Sequence, residues 1–442
     1  MKKCVANTFK GFGFLSWLRR VLACICGVYD LADPQHGRLV VFDVEGVLIP
    51  KNRYLLFEVS RELGFSAFVR IVFYGFLYEV GLISLKKALK ELIKVLKGFS
   101  RVELLRIFRR IPLMPGVKET FQQLRQRGWK IALISSGLPS FAVEDLAKRL
   151  GADYAYGFSL EMADEVATGA VSGEVLEPKG KLLVLERLLA AEGLKPEDCI
   201  IVVDDRNNAP MMLPQALKIG YNPDFVIRVK ADYVICGSMD KLIRLVDGQV
   251  GGVLPSRNEV VRELIHACGF TVPILAGVFG INAMALLIIA VTLLYTASEI
   301  AKLENKRIPL ISWIIRHAAT DTEVHEFAPA PIYFAMGILL TLLLFPARIS
   351  SPVIAAFALG DSTAAIAGTA IGKRMLPFNK GKTLEGLAAG LIAGFIAALA
   401  YADPMRALIA AVVATAVEGL PLPVNDNLAI PVITAATLTL IG

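Results

Sequence analysis

"RLVVFDVEGVLIP", residues 38–50, runs four apolar residues into an acid-x-acid-Gly turn. An apolar run this short, bounded by a turn, reads as a strand buried on both faces, as parallel sheets bury theirs. Asp43 then stands at the carboxyl end of that strand, where open α/β sheets bind their ligands. Acids are common at strand ends, so the pair Asp43 and Glu45 gains meaning only from the segments further along the chain. "GWKIALISSG" (128–137) is a second apolar strand, ending in Ser135. "KGKLLVLERLLAAEGLKPEDCIIVVDD" (179–205) carries Lys181 into a helix and then a strand closing on Asp204 and Asp205. "RNNAPMM" (206–212) comes next, with Asn208 inside it.

That order of strand, acid pair, hydroxyl strand, lysine helix and acidic strand end resembles the haloacid dehalogenase superfamily, in its phosphoserine-phosphatase-like branch, over residues 38–245. The resemblance implies roles for particular residues. Asp43 would attack phosphorus and carry an aspartyl-phosphate. Glu45 would protonate the leaving oxygen and then activate water. Ser135 would hold a phosphoryl oxygen, Lys181 would neutralise charge, and Asp43, Asp204 and Asn208 would hold Mg²⁺. Two departures stand out: Glu45 occupies a position where Asp is usual, and Asn208 one where a second acid is usual. Residues 52–112 are helical in pattern and form the expected cap over the site. Within them, "FSAFVRIVFYGFLYEVGLI" (65–83) is apolar enough either to be cap core or to touch a bilayer and admit a lipid phosphate. It argues against free phosphoserine as the substrate.

The chain has 442 residues, enough for two or three domains. Its 55% hydrophobic content is unevenly spread, and the net charge of +7 comes without a basic run interleaved with aromatics. Nucleic acid is therefore not an expected partner; a membrane surface and anionic phosphates are. Six scattered cysteines form no Cys-x-x-Cys pair and suggest reduced thiols. Residues 1–37 are basic and apolar. The stretch 9–29, broken by Arg19 and Arg20, fits an interfacial or docking helix better than a secretory signal.

After a Gly-rich linker at 246–258, apolar stretches recur at 259–280, 281–300, 331–347, 351–372, 386–401, 405–420 and 426–442. The expected second half is thus an all-α polytopic membrane domain of about seven spans. Arg257 and Arg262, then Lys302, Lys306, Arg307 and Arg316, then Lys373, Arg374, Lys380 and Lys382 fall on one side, with little beyond Arg348 and Arg406 opposite. The positive-inside rule puts that side, and the soluble half with it, in the cytoplasm. Asp361 lies inside an apolar span, and intramembrane acids usually mark function.

"GTAIGKR" (368–374) has one residue too few for a P-loop and Arg where Ser or Thr should stand. Several elements together resemble the dolichol kinase and phytol kinase family over 255–442. They are Gly360-Asp361, Gly368, Gly372-Lys373, Lys382-Thr383-x-Glu385-Gly386, Arg262 to His266, Glu299, and Glu418 with Asp426-Asn427. Glu263 departs from it, standing where a basic residue is expected after Arg262. The resemblance implies CTP as donor, a polyprenol, phytol-like or diacylglycerol acceptor, and Mg²⁺. Asp361 would bind the ion or deprotonate the lipid hydroxyl. Gly368, Gly372, Lys373, Lys380, Lys382, Thr383, Glu385 and Gly386 would hold the nucleotide. Arg262, His266, Glu299, Glu418, Asp426 and Asn427 are further site candidates. Two other readings stay open: a CDP-lipid synthase, whose late Asp-rich signature is replaced here by "NDNLAIP", and a non-catalytic membrane anchor for the phosphatase.

Overall fold

The computed structural model describes residues 38–79, 82–83, 85–247, 255–303 and 327–441. The expected interfacial helix at 9–29, the basic residues Lys306, Arg307 and Arg316, and most of the linker lie outside the described residues.

The first half is a seven-stranded sheet in the order β4-β3-β2-β1-β5-β6-β7. Strand β1 (Leu39–Phe42) is central, flanked in parallel by β2 (Lys130–Pro139) and β5 (Cys199–Val203). All four β1 residues are fully buried, as a strand covered on both faces requires. β6 (Leu217–Tyr221) and β7 (Tyr233–Ile235) extend the sheet on one side in parallel. On the other side β3 (Tyr154–Ala163) pairs in parallel with β2, and β4 (Val166–Ser172) returns antiparallel to β3. Strand order reverses at β1, so the carboxyl ends of β1, β2 and β5 open together at the switch point.

Four helices fill the expected cap: α1 (Leu55–Leu63), α2 (Phe65–Glu79), α3 (Leu85–Ile93) and α4 (Arg101–Phe108). Ser100 caps α4 and Glu103 returns the bond, a complete capping box. Just before it the chain pairs with the β3-β4 hairpin: Gly98 N donates to Ala167 O, and Ala167 N to Phe99 O. This ties the cap to the sheet's edge. Leu63, Val69, Phe73 and Leu82 are exposed apolar side chains of the cap. Around the sheet lie α5 (Val117–Gln126), α6 (Ser140–Leu150), α7 (Gly180–Glu192), α8 (Phe225–Lys230) and α9 (Lys241–Val246).

The second half is helical: α10 (Arg257–Ala267), α11 (Val272–Phe279), α12 (Ile281–Leu303), α13 (Ala330–Leu344), α14 (Ala347–Ile371), α15 (Leu384–Ala398), α16 (Pro404–Gly419) and α17 (Asp426–Ile441). Among the described residues three continuous stretches, Arg257–Phe279, Ile281–Lys302 and Ala347–Ile371, are long and apolar enough to cross a membrane. The other four expected spans are helices of 15 or 16 residues. At 1.5 Å per residue each reaches only about 22–24 Å, short of a ~30 Å hydrocarbon layer. Leu286, Leu287, Val291, Leu293 and Leu294 of α12 face outward, the surface that lipid would cover.

The tightest packing in the bundle joins α14 to α15 through small residues four apart. Ala356, Gly360, Ala364 and Gly368 meet Gly386, Gly390 and Gly394. A Cβ on Gly390 would stand 2.8 Å from Gly360 O, and one on Gly394 3.0 Å from Ala356 O. Backbone contact this close brings Asp361, one residue past Gly360, toward the loop that leads into α15.

Candidate active sites

The soluble site grows from the turn after β1. Asp43 N donates to Val202 O at 3.0 Å, which ties the β1 end to β5. A Cβ on Gly46, whose φ is +81°, would run into the Asp204 carboxylate, so only glycine turns the chain here. Asp43, Ser135, Asp204 and Asn208 are essentially buried although polar. Burial at that level demands partners.

The partners are those of a phosphate-handling centre. Lys181 Nζ donates to Asp43 Oδ1 at 2.8 Å and to Asn208 Oδ1 at 2.7 Å. Val44 N donates to Asp43 Oδ1 at 2.9 Å, and the Asn208 amide nitrogen touches Asp43 Oδ2. Lys181 reaches in because Gly180 starts α7 against the Glu174 carbonyl, where a Cβ would collide. Burial works against its ammonium, but Asp43 and Glu45 outweigh it and hold Lys181 above the usual lysine range. Ser135 Oγ lies 2.9 and 3.0 Å from the two Glu45 oxygens and accepts from Leu138 N at 3.0 Å. Burial, with the Asp43 charge beside it, pushes the Glu45 carboxyl up to about 7. A carboxyl in that range can give and take a proton near neutrality.

Asp43, Asp204 and Asp205 each place a carboxylate oxygen within 4.8 Å of the others. Burial, Asp205 and Asp43 drive the Asp204 carboxyl well above the usual range against the pull of Lys51. Three acids crowded in this way fit a hard divalent cation. Asn208 lies at the same centre: its Oδ1 accepts from Lys181, its Nδ2 faces Asp43, Asp204 and Asp205, and Asp205 adds a further carboxylate beside it. The sequence does not single out Lys51, whose Nζ is 2.5 Å from Asp204 Oδ2, or Tyr54, whose hydroxyl burial and Glu45 push up. Only their position at the cap's entrance, just past the Asp43 turn, hints at either.

A second cluster lies in the helical half. Lys382 Nζ is 2.7 Å from Glu418 Oε1, 3.9 Å from Asp361 Oδ1 and 4.0 Å from Asp426 Oδ2. Burial opposes its charge, yet Glu418, Asp361 and Asp426 together hold Lys382 above the usual lysine range. Lys382 points inward because residues 375–383 fold into a hairpin. Leu376 N donates to Lys382 O, Lys382 N to Asn379 O, and Asn379 Nδ2 to Gly419 O. Arg262 donates to Glu263 Oε1 at 3.1 Å, and Glu263 and His266 lie with Asp361 in one group. The helices thus bring Asp361, Glu418 and Asp426 around Lys382, and Asp361 also lies with Glu263 and His266, beside which Arg262 stands.

Other candidates have local partners. Glu385 accepts from the backbone of Lys373 and Arg374, both exposed, while Lys380 is half-buried in the hairpin. Thr383 caps α15 by accepting from Gly386 N. Gly368, Gly372 and Gly386 lie against Thr383 and the α14 backbone, which accounts for their lack of a side chain. Glu299 is buried, with Lys302 at 2.6 Å and Ala328 N at 2.9 Å. Asn427 Nδ2 donates to Ala330 O at 3.4 Å.

The two halves touch near this second cluster: Lys241 Nζ is 3.6 Å from Glu259 Oε1, and Arg228 of α8 acts electrostatically on Asp426.

Comparison with known proteins concerns the first half. Residues 38–213 match the model of the haloacid dehalogenase-like hydrolases. A phosphoserine phosphatase of Methanocaldococcus jannaschii is 30% identical over 198 residues, 45% of this chain and 92% of that protein. One from Archaeoglobus fulgidus is 32% identical over 205 residues, 46% of this chain and only 57% of its relative. A solved phosphoserine phosphatase with substrate bound is 28% identical, with a TM-score of 0.42, over 48% of this chain and 99% of that one. The chain belongs to the haloacid dehalogenase-like hydrolase family, through an N-terminal domain of the phosphoserine phosphatase type.

Proposed function

We propose a bifunctional membrane enzyme that hydrolyses a phosphomonoester in its soluble half and phosphorylates a lipid alcohol in its helical half. The observation that carries the first activity is the Asp43 carboxylate, fixed by Lys181, Val44 N and Asn208 beside a Glu45 carboxyl that titrates near 7. Asp43 attacks phosphorus and forms an aspartyl-phosphate as the P–O bond to the leaving group breaks. Glu45 gives its proton to that leaving oxygen, then takes one from the water that cleaves the acyl phosphate. Lys181 and Ser135 lie where phosphoryl oxygens arrive. Asp43, Asp204 and Asp205 would hold Mg²⁺, which supplies neutralisation of phosphate charge when bound. The exposed apolar residues of the cap, Val69, Phe73 and Leu82, favour a lipid phosphate over free phosphoserine.

For the helical half, the convergence of Asp361, Lys382, Glu418 and Asp426 favours a kinase over a bare anchor, since an anchor has no use for buried ionic groups. Phosphoryl transfer chiefly needs positioning and charge neutralisation, and Lys382 among these acids provides a place for both. CTP as donor, Mg²⁺ in this half, a polytopic topology of about seven spans and a cytoplasmic mouth complete the proposal. The test incubates purified full-length protein with γ-labelled CTP or ATP and a panel of polyprenols, geranylgeraniol, phytol and diacylglycerol. Label entering lipid as a monophosphate supports the kinase. A CDP-lipid product would point to the cytidylyltransferase reading, and no transfer would leave the helical half as an anchor.

A further inference from the structure

We propose that Glu263, His266 and Asp361 form a divalent-cation site suited to a first-row transition ion such as Mn²⁺. Glu263 and His266 lie three residues apart on α10, on one face of a helix, and Asp361 comes from the packed helix α14. Glu-x-x-His at this spacing is a geometry by which helical bundles present metal ligands. One ligand atom from each residue falls within 4.8 Å of the others, and His266 Nδ1 is 3.8 Å from Glu263 Oε2. Ligands on an ion at ~2.0–2.2 Å lie roughly 3–4 Å apart, so a contraction of at most about 1–2 Å closes the site.

Three independent observations point to a ligand. Glu263 is 4% exposed, and its Oε2 is buried without a hydrogen-bond partner while Oε1 takes the Arg262 guanidinium. The His266 ring is held parallel to Phe334, with centroids 4.3 Å apart and planes 7° from parallel, which fixes its edge toward Glu263. Among the described residues the local negative charge is also in excess. The carboxylates of Glu263, Asp361, Glu418 and Asp426 face Arg262, Lys382 and, from the soluble half, Arg228. Buried carboxylates that outnumber their cations are costly, and a dication reverses the imbalance. The donor set, one imidazole nitrogen and two carboxylates, selects against Mg²⁺ and Ca²⁺, which prefer oxygen alone. Arg262, bound to the far oxygen of Glu263, orients that ligand. Glu263 thereby gains a purpose at a position where the sequence suggested only a lost basic residue.

The site stands whether or not the helical half transfers phosphate, so binding tests it. The full chain, in detergent, carries Asp43→Asn and Asp204→Asn to silence the soluble acids. His36, His317 and His325 are changed to Gln, leaving His266 as the sole imidazole of the four in the chain. After Mn²⁺ loading, one ion per chain with ¹⁴N imidazole coupling in pulsed electron paramagnetic resonance is expected. Glu263→Gln should weaken Mn²⁺ affinity by about 10-fold or more with unchanged elution from a sizing column. Absence of bound Mn²⁺, bound Mn²⁺ without nitrogen coupling, or an unaltered affinity in Glu263→Gln would overturn the assignment. If Glu263→Gln aggregates, the nitrogen coupling of the parent decides alone.

Discussion

Each half of this chain places a lysine among buried carboxylates, and the two halves build that arrangement in opposite ways. In the soluble half three neighbouring strand ends deliver Asp43, Ser135 and Asp204, and α7 delivers Lys181. The hydrogen-bonded register of the sheet sets the spacing of those strand ends. In the helical half no ladder does that work. Asp361, Lys382, Glu418, Asp426 and Glu263 come from separate helices and a hairpin, and the small-residue contact between α14 and α15 holds the helix that bears Asp361 against the one that follows Lys382. A strand-end site therefore tolerates loss of one side chain as a local event, whereas a bundle site depends on helix packing as well as on its own charges.

Asp43→Asn sharpens the contrast most. Removing the proposed nucleophile should lower phosphomonoester hydrolysis on the order of 10³-fold or more while lipid phosphorylation continues, measured as phosphate release and lipid labelling on one preparation. Lys382→Ala should do the reverse, cutting lipid labelling by roughly 10²–10³-fold with hydrolysis unchanged. Gly390→Leu would break the comparison from the structural side. Its side chain has no room against Gly360, so the helical half should lose its compact elution, while the soluble half keeps its hydrolytic activity.

Glu45 gives the soluble half a pH signature of its own. Its carboxyl is raised to about 7, so the folded state binds this proton more tightly than the unfolded chain does. The stabilisation is complete below the ordinary carboxyl range and is lost as pH rises through about 7. Without divalent ions, the melting temperature of the soluble half should fall between pH 5 and 8, and Glu45→Gln should flatten that slope. The smallest effect expected is at Lys51. Lys51→Met removes the cation that competes for Asp204, so the Mg²⁺ concentration for half-maximal hydrolysis should drop several-fold; a rise would mean that Lys51 anchors the site instead.

Much of the soluble half is legible in the sequence because its signals are contiguous. Val40, Val41 and Phe42 run straight into Asp43, and Ile200 to Val203 into Asp204, so strand and site residue are read in one stretch. Lys51 and Tyr54 escape such a reading because their meaning depends on where the cap's first helix folds back over the Asp43 turn. Asn208 reads by type as an oxygen donor, and what the sequence leaves out is that Lys181 bonds to that oxygen. In the helical half the sequence offers the candidates but not their grouping. Lys373, Lys380 and Lys382 look equivalent in a basic loop, and the 375–383 hairpin sets Lys382 beside Asp361 and Glu418. Gly368, Gly372 and Gly386 suggest a nucleotide cradle, where backbone contact with Thr383 and α14 already requires them. The short helices near Ala330, Leu384, Pro404 and Asp426 read as spans by apolar content, and what the sequence does not show is that each has only 15 or 16 residues.

Two separable phosphoryl sites in one chain can be tested by a single measurement that reaches both. Wild type, Asp43→Asn and Lys382→Ala are each given γ-labelled CTP and a polyprenol, and label is followed into lipid and then into free phosphate. Asp43→Asn is expected to accumulate labelled lipid at the wild-type rate and to release no phosphate from an added lipid monophosphate. Lys382→Ala should make almost no labelled lipid and still release that phosphate. If Lys382→Ala labels lipid as wild type does, or if both variants lose both activities while eluting as folded protein, the two-site account is contradicted.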